Sequence, residues 1–528
     1  MHHPAPVRGP QTAVDLLVGP GVATRPLPSA AARAFRAGLR AFARDDFRVA
    51  MRQWREAVRQ APDHPECHAA LGLAASHGGE PLAAAEALRT ATALAPGSVT
   101  LWRLRADTAL LQGANSEAFE ALRELVRLAP DDAEALGNLG ALYREAGEPV
   151  AALQALHRAL ALNPADARAL SNTALTLHDL GQFAMARDAA SAALALDPSR
   201  ADARWNLALM ELLHGDFTRG WASHEQRAPV RRLEQTTRHY AVPRWDGAPL
   251  TGALLLWPEQ GLGDFLQFVR FVPDVVQRAG PAARVVLATP TPLRALVRAA
   301  LPDSIEVIDA DDAPPPIAAH APLLSLPFLL DLGASLRAER VPYLHRTGTP
   351  PAVLDTLLPE AQAEPLRVGF VWAGQPRHLN DRNRSTTLET LEPLMDIPGI
   401  QPFSLQKGAG EDRIPAFNAL RQSAGKSPLI ALGHTFESFA DTAHAISRLD
   451  LVITVDTAVA HLAGAMGCAV WLLIPFVPDW RWQIGRSDSP WYGSVRLFRQ
   501  TARGDWSAVI TAAAQALAAR TPRARQAA

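Results

Sequence analysis

Asp450–Pro475 reads DLVITVDTAVAHLAGAMGCAVWLLIP, and the fold follows from it. Leu451–Val455 is a short, β-branched apolar run, the pattern of a parallel strand buried on both faces. Asp456 and Thr457 interrupt it. Ala458–Met466 then places small and apolar residues at helical spacing, Gly467 stands where a C-terminal cap belongs, and Val470–Ile474 is a second buried strand. The turn of such a strand–turn–helix–strand unit lies at the carboxyl end of a strand and at a helix N-terminus. Open α/β sheets bind ligands there, because free N–H groups and the helix dipole favour phosphate. Asp456 is placed to hold a sugar hydroxyl and Thr457 a phosphate, with His461 one helical turn on along the same face. The plainer alternative is that Asp456 or Thr457 caps the helix and His461 packs on the sheet.

Outward from this unit, two series of alternating strand and helix patterns are expected. The first runs through Ala253–Trp257, a helix Asp264–Arg278, Arg284–Ala288, a helix Pro292–Leu301, Ile305–Ile308 and Leu323–Leu326. Pro350–Pro365 connects it to the second, which starts at Arg367 with RVGFVW and continues through Gln401–Leu405, Ile430–Leu432 and the unit above; Gly504 and Asp505 signal a final helix to Arg520. Two successive βαβ series imply two doubly wound lobes.

The N-terminal part has a different grammar. Pro62, Pro96, Pro130, Pro164 and Pro198 recur every 34 residues, as do Gly79, Gly113, Gly147, Gly181 and Gly215, and the small residues Gly38, Gly72, Ala106, Gly140, Ala174 and Ala208. Small residues let two helices approach, Gly ends the first, and Pro follows the second. A 34-residue helix–turn–helix period of this kind resembles the tetratricopeptide repeat. Six units are expected, starting near Ala31, Pro65, Val99, Ala133, Ala167 and Ala201, and stacking into an array whose concave face binds extended peptide or a partner protein or, alternatively, only orients the next domain.

The chain has 528 residues and a formal net charge of −1, so it shows no electrostatic sign of a nucleic-acid partner. Two cysteines, Cys67 and Cys468, lie far apart, which argues against a disulfide framework or a zinc site and suits a reducing compartment. The start, MHHPAPVRGPQTAVDLL, lacks the charge and apolar core of a signal peptide, and no apolar run has membrane-spanning length. The expectation is a cytoplasmic protein. Its domains are expected as a flexible leader (1–30), repeats (31–230), an Arg-rich linker (231–250), two α/β lobes (251–360 and 361–504) and a C-terminal helix and tail (505–528).

Five motifs cluster at strand ends. Pro258-Glu259-Gln260-Gly261-Leu262-Gly263-Asp264 looks partly like a dinucleotide loop, but Asp264 sets a carboxylate where pyrophosphate would sit. It suits deprotonation of a hydroxyl better; helix capping is the alternative. Trp372–Ser385, WAGQPRHLNDRNRS, offers Arg382 and Arg384 to clamp phosphate or to brace the loop. Ser404-Leu405-Gln406-Lys407-Gly408 offers a lysine point charge for a diphosphate and an amide for a base or sugar; Lys407 is informative because the chain has only two lysines against fifty arginines. Phe439–Ala443 reads as a helix cap, with a nucleotide contact as the alternative. In Pro478–Trp482 with Asp488 and Trp491, Trp480 and Asp488 suit sugar stacking and acceptor contacts or, equally, a rigid loop.

Together GLGD after a strand, SLQKG after another and VDTAVAHLAGAMG resemble bacterial family 9 glycosyltransferases, heptosyltransferase-like enzymes of the GT-B fold; PFVPDWRW with DSPWY looks like the branch fused to tetratricopeptide repeats, and the plan is similar to protein O-linked N-acetylglucosamine transferases. The resemblance implies an all-α tetratricopeptide superhelix followed by a two-lobed α/β GT-B fold. It implies inverting, metal-independent transfer from a nucleotide-sugar donor to a protein or glycan hydroxyl, without cofactor. On this reading Asp264 is the catalytic base, and Asp456, Thr457, His461, Lys407, Gln406 and Arg384 contact the donor. Gly263, Glu259, Trp480 and Asp488 form acceptor or loop contacts. Ala458 stands where heptosyltransferases commonly have glycine, so a heptose donor does not follow. The alternative is a non-catalytic repeat scaffold with a degenerate GT-B part.

Overall fold

A computed structural model describes residues 25–227, 238, 240–359, 365–378 and 380–521. Most of the expected leader, residues 231–237 and 239 of the expected linker and residues 522–528 of the expected tail lie outside the described residues. Contacts group the chain into two compact units that divide between Ala203 and Arg204.

The first unit is all helical. Helix pairs Ser29–Phe42 and Phe47–Gln60, Pro65–His77 and Pro81–Leu94, Val99–Leu111 and Asn115–Leu128, Ala133–Glu145 and Pro149–Leu162, and Ala167–Asp179 and Phe183–Leu196 follow the expected period. The period has two visible causes. Gly79, Gly113, Gly147 and Gly181 each take positive φ, between +68° and +84°, between the helices of a pair. A Cβ at Gly72 would sit 2.6 Å from Leu88 Cγ and one at Gly140 2.7 Å from Leu156 Cγ, so only glycine permits the close crossing there. The division between units falls inside the sixth pair, Ala201–Leu213 and Phe217–His224, whose second helix is truncated.

The second unit holds two wholly parallel sheets. β1 (Gly252–Trp257), β2 (Ala283–Thr289), β3 (Glu306–Asp309) and β4 (Ala319–Pro322) lie in the order β3-β2-β1-β4. β5 (Leu366–Val371), β6 (Ile400–Ser404), β7 (Ile430–Ala431), β8 (Leu451–Val455), β9 (Val470–Ile474) and β10 (Val495–Arg499) lie in the order β10-β9-β8-β5-β6-β7. The second order is that of a doubly wound sheet, with its reversal between β5 and β8; the first sheet reverses between β1 and β4. Ligand crevices in such sheets open at the carboxyl ends of the reversing strands.

Three expectations are corrected. The strand expected at Leu323–Leu326 is instead β4, four residues upstream, followed by a 3₁₀ turn and the short helix Leu326–Leu329. An apolar run bounded by prolines does not distinguish the two, and Pro327 sits at a helix start, where its missing N–H costs nothing. The single helix expected over Asp264–Arg278 is Leu262–Phe268, a 3₁₀ turn and Val272–Ala279, broken around Pro273. β10 was not anticipated, because VRLFR is a half-exposed edge strand rather than a continuous apolar run. The linker's end is also more than a connector: Trp245 donates its backbone N–H to His320 O on β4 at 2.8 Å.

Candidate functional site

The reversal between β5 and β8 brings together the turn after β8 and the loop after β5. Thr457 precedes the helix Ala458–Ala465 in extended conformation, and its hydroxyl bonds Thr454 Oγ1 at 3.2 Å rather than capping the helix. The first N–H groups of that helix therefore have no side-chain partner. Burial, reinforced by Asp479 and only partly offset by Arg384 and Arg481, pushes the Asp456 carboxyl up to about 6. His461 is packed beside Asp456: its Nε2 lies 3.9 Å from Asp456 Oδ1, its Nδ1 meets the Tyr492 hydroxyl at 3.0 Å, its ring stacks on Trp482 at 5.3 Å, and burial followed by Arg481 holds it well below the ordinary histidine value.

The loop after β5 is braced from two sides. Gln406 Oε1 accepts from the backbone N–H groups of Trp372 and Ala373, both at 3.1 Å, and Nε2 donates to Ala373 O and Ala409 O at 3.0 and 2.9 Å. Expected as a donor-reading amide, Gln406 is thus spent on the backbone and is 3 % exposed. Ser385 Oγ accepts from Gly374 N and donates to Asp381 Oδ1, and Arg384 Nε donates to the same oxygen at 3.2 Å. Arg384, its side chain 14 % exposed, spends only Nε among the described residues, which leaves both Nη groups of the fork unused. Its charge bears on Asp456, His461 and His378. Lys407 is exposed and its ammonium donates to the Phe436 carbonyl, apart from this group. The Phe439–Ala443 motif is the expected cap: Ser438 Oγ accepts from Ala440 N, and Asp441 Oδ2 from Ser438 N at 2.9 Å.

The first sheet meets this site through its GLGD loop. Helix Leu262–Phe268 packs directly on Ala458–Ala465. A Cβ on Gly263 would lie 2.8 Å from His461 Cδ2, so the contact demands glycine. Asp264 Oδ2 accepts from Gly261 N, the N-cap backbone, at 2.7 Å, and Oδ1 accepts from Arg481 Nη2. Arg481 is buried, donates also to Asp479 Oδ1 at 2.9 Å and Gln267 Oε1 at 2.6 Å, and lies 4.2 Å over Trp480. Burial opposes its charge, but Asp479 and Asp264 outweigh it. Sequence reading did not foresee that Arg481 would join the two sheets; its only signal was a cation between carboxylate and tryptophans in PDWRW. His378, facing Asp264, Asp479, Asp381 and Arg384, was passed over within the WAGQPRHLNDRNRS motif.

Three expected contacts lie elsewhere. Glu259 is held in a buried forked pair with Arg227, at 2.5 and 3.2 Å, which engages both its oxygens. Trp480 is enclosed edge-on by Trp221 and Trp491 and covered by Arg481, so the rigid-loop reading holds and no face is left for a sugar. Asp488 forms a forked pair with Arg486, at 3.0 and 2.7 Å, with its side chain 71 % exposed.

The tetratricopeptide repeat family matches residues 35–99, 78–133, 138–199 and 172–229. Among curated proteins, Protein FlbA of Caulobacter vibrioides is 28 % identical over 331 residues, covering 59 % of this chain and 54 % of FlbA; the chain thus spans about half the length of that relative. Among solved structures, MamA of Desulfovibrio magneticus RS-1 aligns with 19 % identity over 33 % of this chain and 99 % of that chain, TM-score 0.31. Pseudomonas aeruginosa pilF aligns with 20 % identity over 38 % and 92 %, TM-score 0.33. The chain therefore carries tetratricopeptide repeats in its N-terminal part, followed by an α/β region with parallel sheets. No helix among the described residues is long and apolar enough to cross a membrane.

Proposed function

We propose that the α/β region is a GT-B-type glycosyltransferase, moving a sugar from a nucleotide-sugar donor to a hydroxyl of a protein or glycan that the repeats recruit. One observation carries the reading: at the reversal of the six-stranded sheet, an uncapped helix N-terminus at Thr457 stands with Arg384, whose two Nη groups are unused among the described residues, and with Asp456. A diphosphate is the ligand that uses backbone N–H groups and a guanidinium together. The acceptor oxygen attacks the anomeric carbon, the bond from that carbon to the diphosphate breaks, and Asp264 receives the acceptor proton. Arg384 and the helix N-terminus offset the charge on the leaving diphosphate. For Asp264 to act, Arg481 must release Oδ1, and Asp479 is in place to keep it paired.

A second reading, a scaffold without turnover, is favoured by that same contact, since both Asp264 oxygens are engaged. Incubation with UDP-, GDP-, ADP- and CMP-sugars, with release of the nucleotide and thermal shift both recorded, separates the two. Release that survives EDTA is expected for at least one donor. Stabilisation by a donor without release supports the scaffold, and neither signal with any donor overturns the proposal.

A further inference from the structure

The first repeat differs in charge from the rest of its unit. Residues 29–60 hold eight arginines against Asp45, Asp46 and Glu56, a net +5, whereas residues 61–203 hold eighteen acids against ten arginines, a net −8. On helix Phe47–Gln60, Arg48, Arg52, Arg55 and Arg59 recur at steps of four, three and four. That spacing sets them in one stripe about 16 Å long. With Val49, Gln53 and Glu56 of the same helix they line an open depression on its surface. Arg55 meets Glu80 at 2.9 Å and Arg59 meets Glu56. Arg48 and Arg52 are exposed and have no acidic partner among the described residues, and the same holds for Arg33, Arg36, Arg40 and Arg44 on the same repeat. Arg48 and Arg52 stand four residues apart, where like charges on a helix repel. The Arg48–Arg52 pair thus weakens its own helix until an anion meets it.

We propose that this face of the first repeat docks a short acidic segment of a partner protein. Residues 1–28 cannot supply the complement, since Asp15 is their only acid beside Arg8 and Arg25. A nucleic acid longer than the stripe would run on against the acidic remainder of the unit, whereas a short acidic segment ends within it. The inference is independent of any transfer reaction.

The test is fluorescence anisotropy on the full chain with a fluorescein-labelled glutamate-rich peptide. Saturable binding that weakens with added salt is expected, and Arg48→Glu with Arg52→Glu should raise Kd at least about tenfold. Arg48→Gln with Arg52→Gln, which adds no charge, should give the same direction with the far-ultraviolet circular dichroism unchanged. Peptide affinity equal in wild type and both variants overturns the proposal. So does a short DNA duplex that binds tighter than the peptide and is lost in the same variants, or salt-sensitive self-association, seen by sedimentation, that the variants abolish.

Discussion

Replacing Asp456 by Asn should stabilise the protein at pH 8 while weakening the site. The carboxyl titrates at 3.8 ordinarily and at about 6 in the fold, because burial and Asp479 disfavour its charge more than Arg384 and Arg481 favour it. A folded-state pKa above the unfolded one gives stability that is full below 3.8 and is lost as pH rises through about 6. Above that pH the native fold bears a buried charge costing on the order of 3 kcal/mol. Asn is neutral throughout, so the variant should melt about 5 °C higher at pH 8, and the two curves should converge as pH falls toward 4. The histidines act in the opposite sense. Burial, followed by nearby arginines, holds His224 and His461 well below 6.5, so their contribution is present above 6.5 and lost as pH falls; that of His224 is common to both proteins, whereas His461 Nε2 lies 3.9 Å from Asp456 Oδ1 and loses this neighbour in the variant. Differential scanning fluorimetry at several pH values, with circular dichroism as control, measures the difference. A variant that melts lower at pH 8, or a difference that does not shrink on acidification, would refute the reasoning and mean that Asp456 is a satisfied ion-pair partner.

Asp264→Asn should lower turnover about 10²–10⁴-fold if Asp264 is the base, with donor affinity held; because Arg481 loses one charged partner, a stability loss of about 1.5–3 kcal/mol should accompany it, and unchanged turnover would reduce Asp264 to a cap and latch. Arg384→Ala should weaken donor binding about ten- to hundredfold in calorimetry, whereas Lys407→Ala, at a residue bonded apart from the Asp456 group, should weaken it less; the reverse order would move the diphosphate to Lys407. Trp221→Ala removes a ring packed against Phe268, Trp480 and Trp491 and should cost about 3–5 kcal/mol in chemical denaturation; a much smaller loss would show that this aromatic cluster is not cooperative with the sheets.

The repeats were legible nearly to the residue, because a period of 34 writes the same two demands, a glycine at positive φ and a small residue at the crossing, over and over. The parallel strands were legible where they are buried on both sides, as at Leu451–Val455, and were missed or shifted where burial is partial, as at Val495–Arg499, or where prolines interrupt, as at Ala319–Pro322. For the site, sequence placed Asp456, Thr457 and Arg384 at strand ends, which topology then joins. It did not reveal that Gln406 and Glu259 are consumed by the backbone and by Arg227, since a hydrogen-bond partner distant in sequence leaves no local trace. Asp264 and Arg481, 217 residues apart, are the plainest case.

The helix Phe217–His224 and the turn after it bear one further consequence. Trp221 donates to Gly333 O, and the buried Arg227 binds Glu259 and Ser325, so the final repeat is stitched into the α/β region by its own side chains. Exchange of modules by recombination, natural or in the laboratory, would then find its tolerant seam not in the arginine-rich stretch after Ala228 but near Ala203. The sixth repeat would then have to travel with the sheets to which it is bonded.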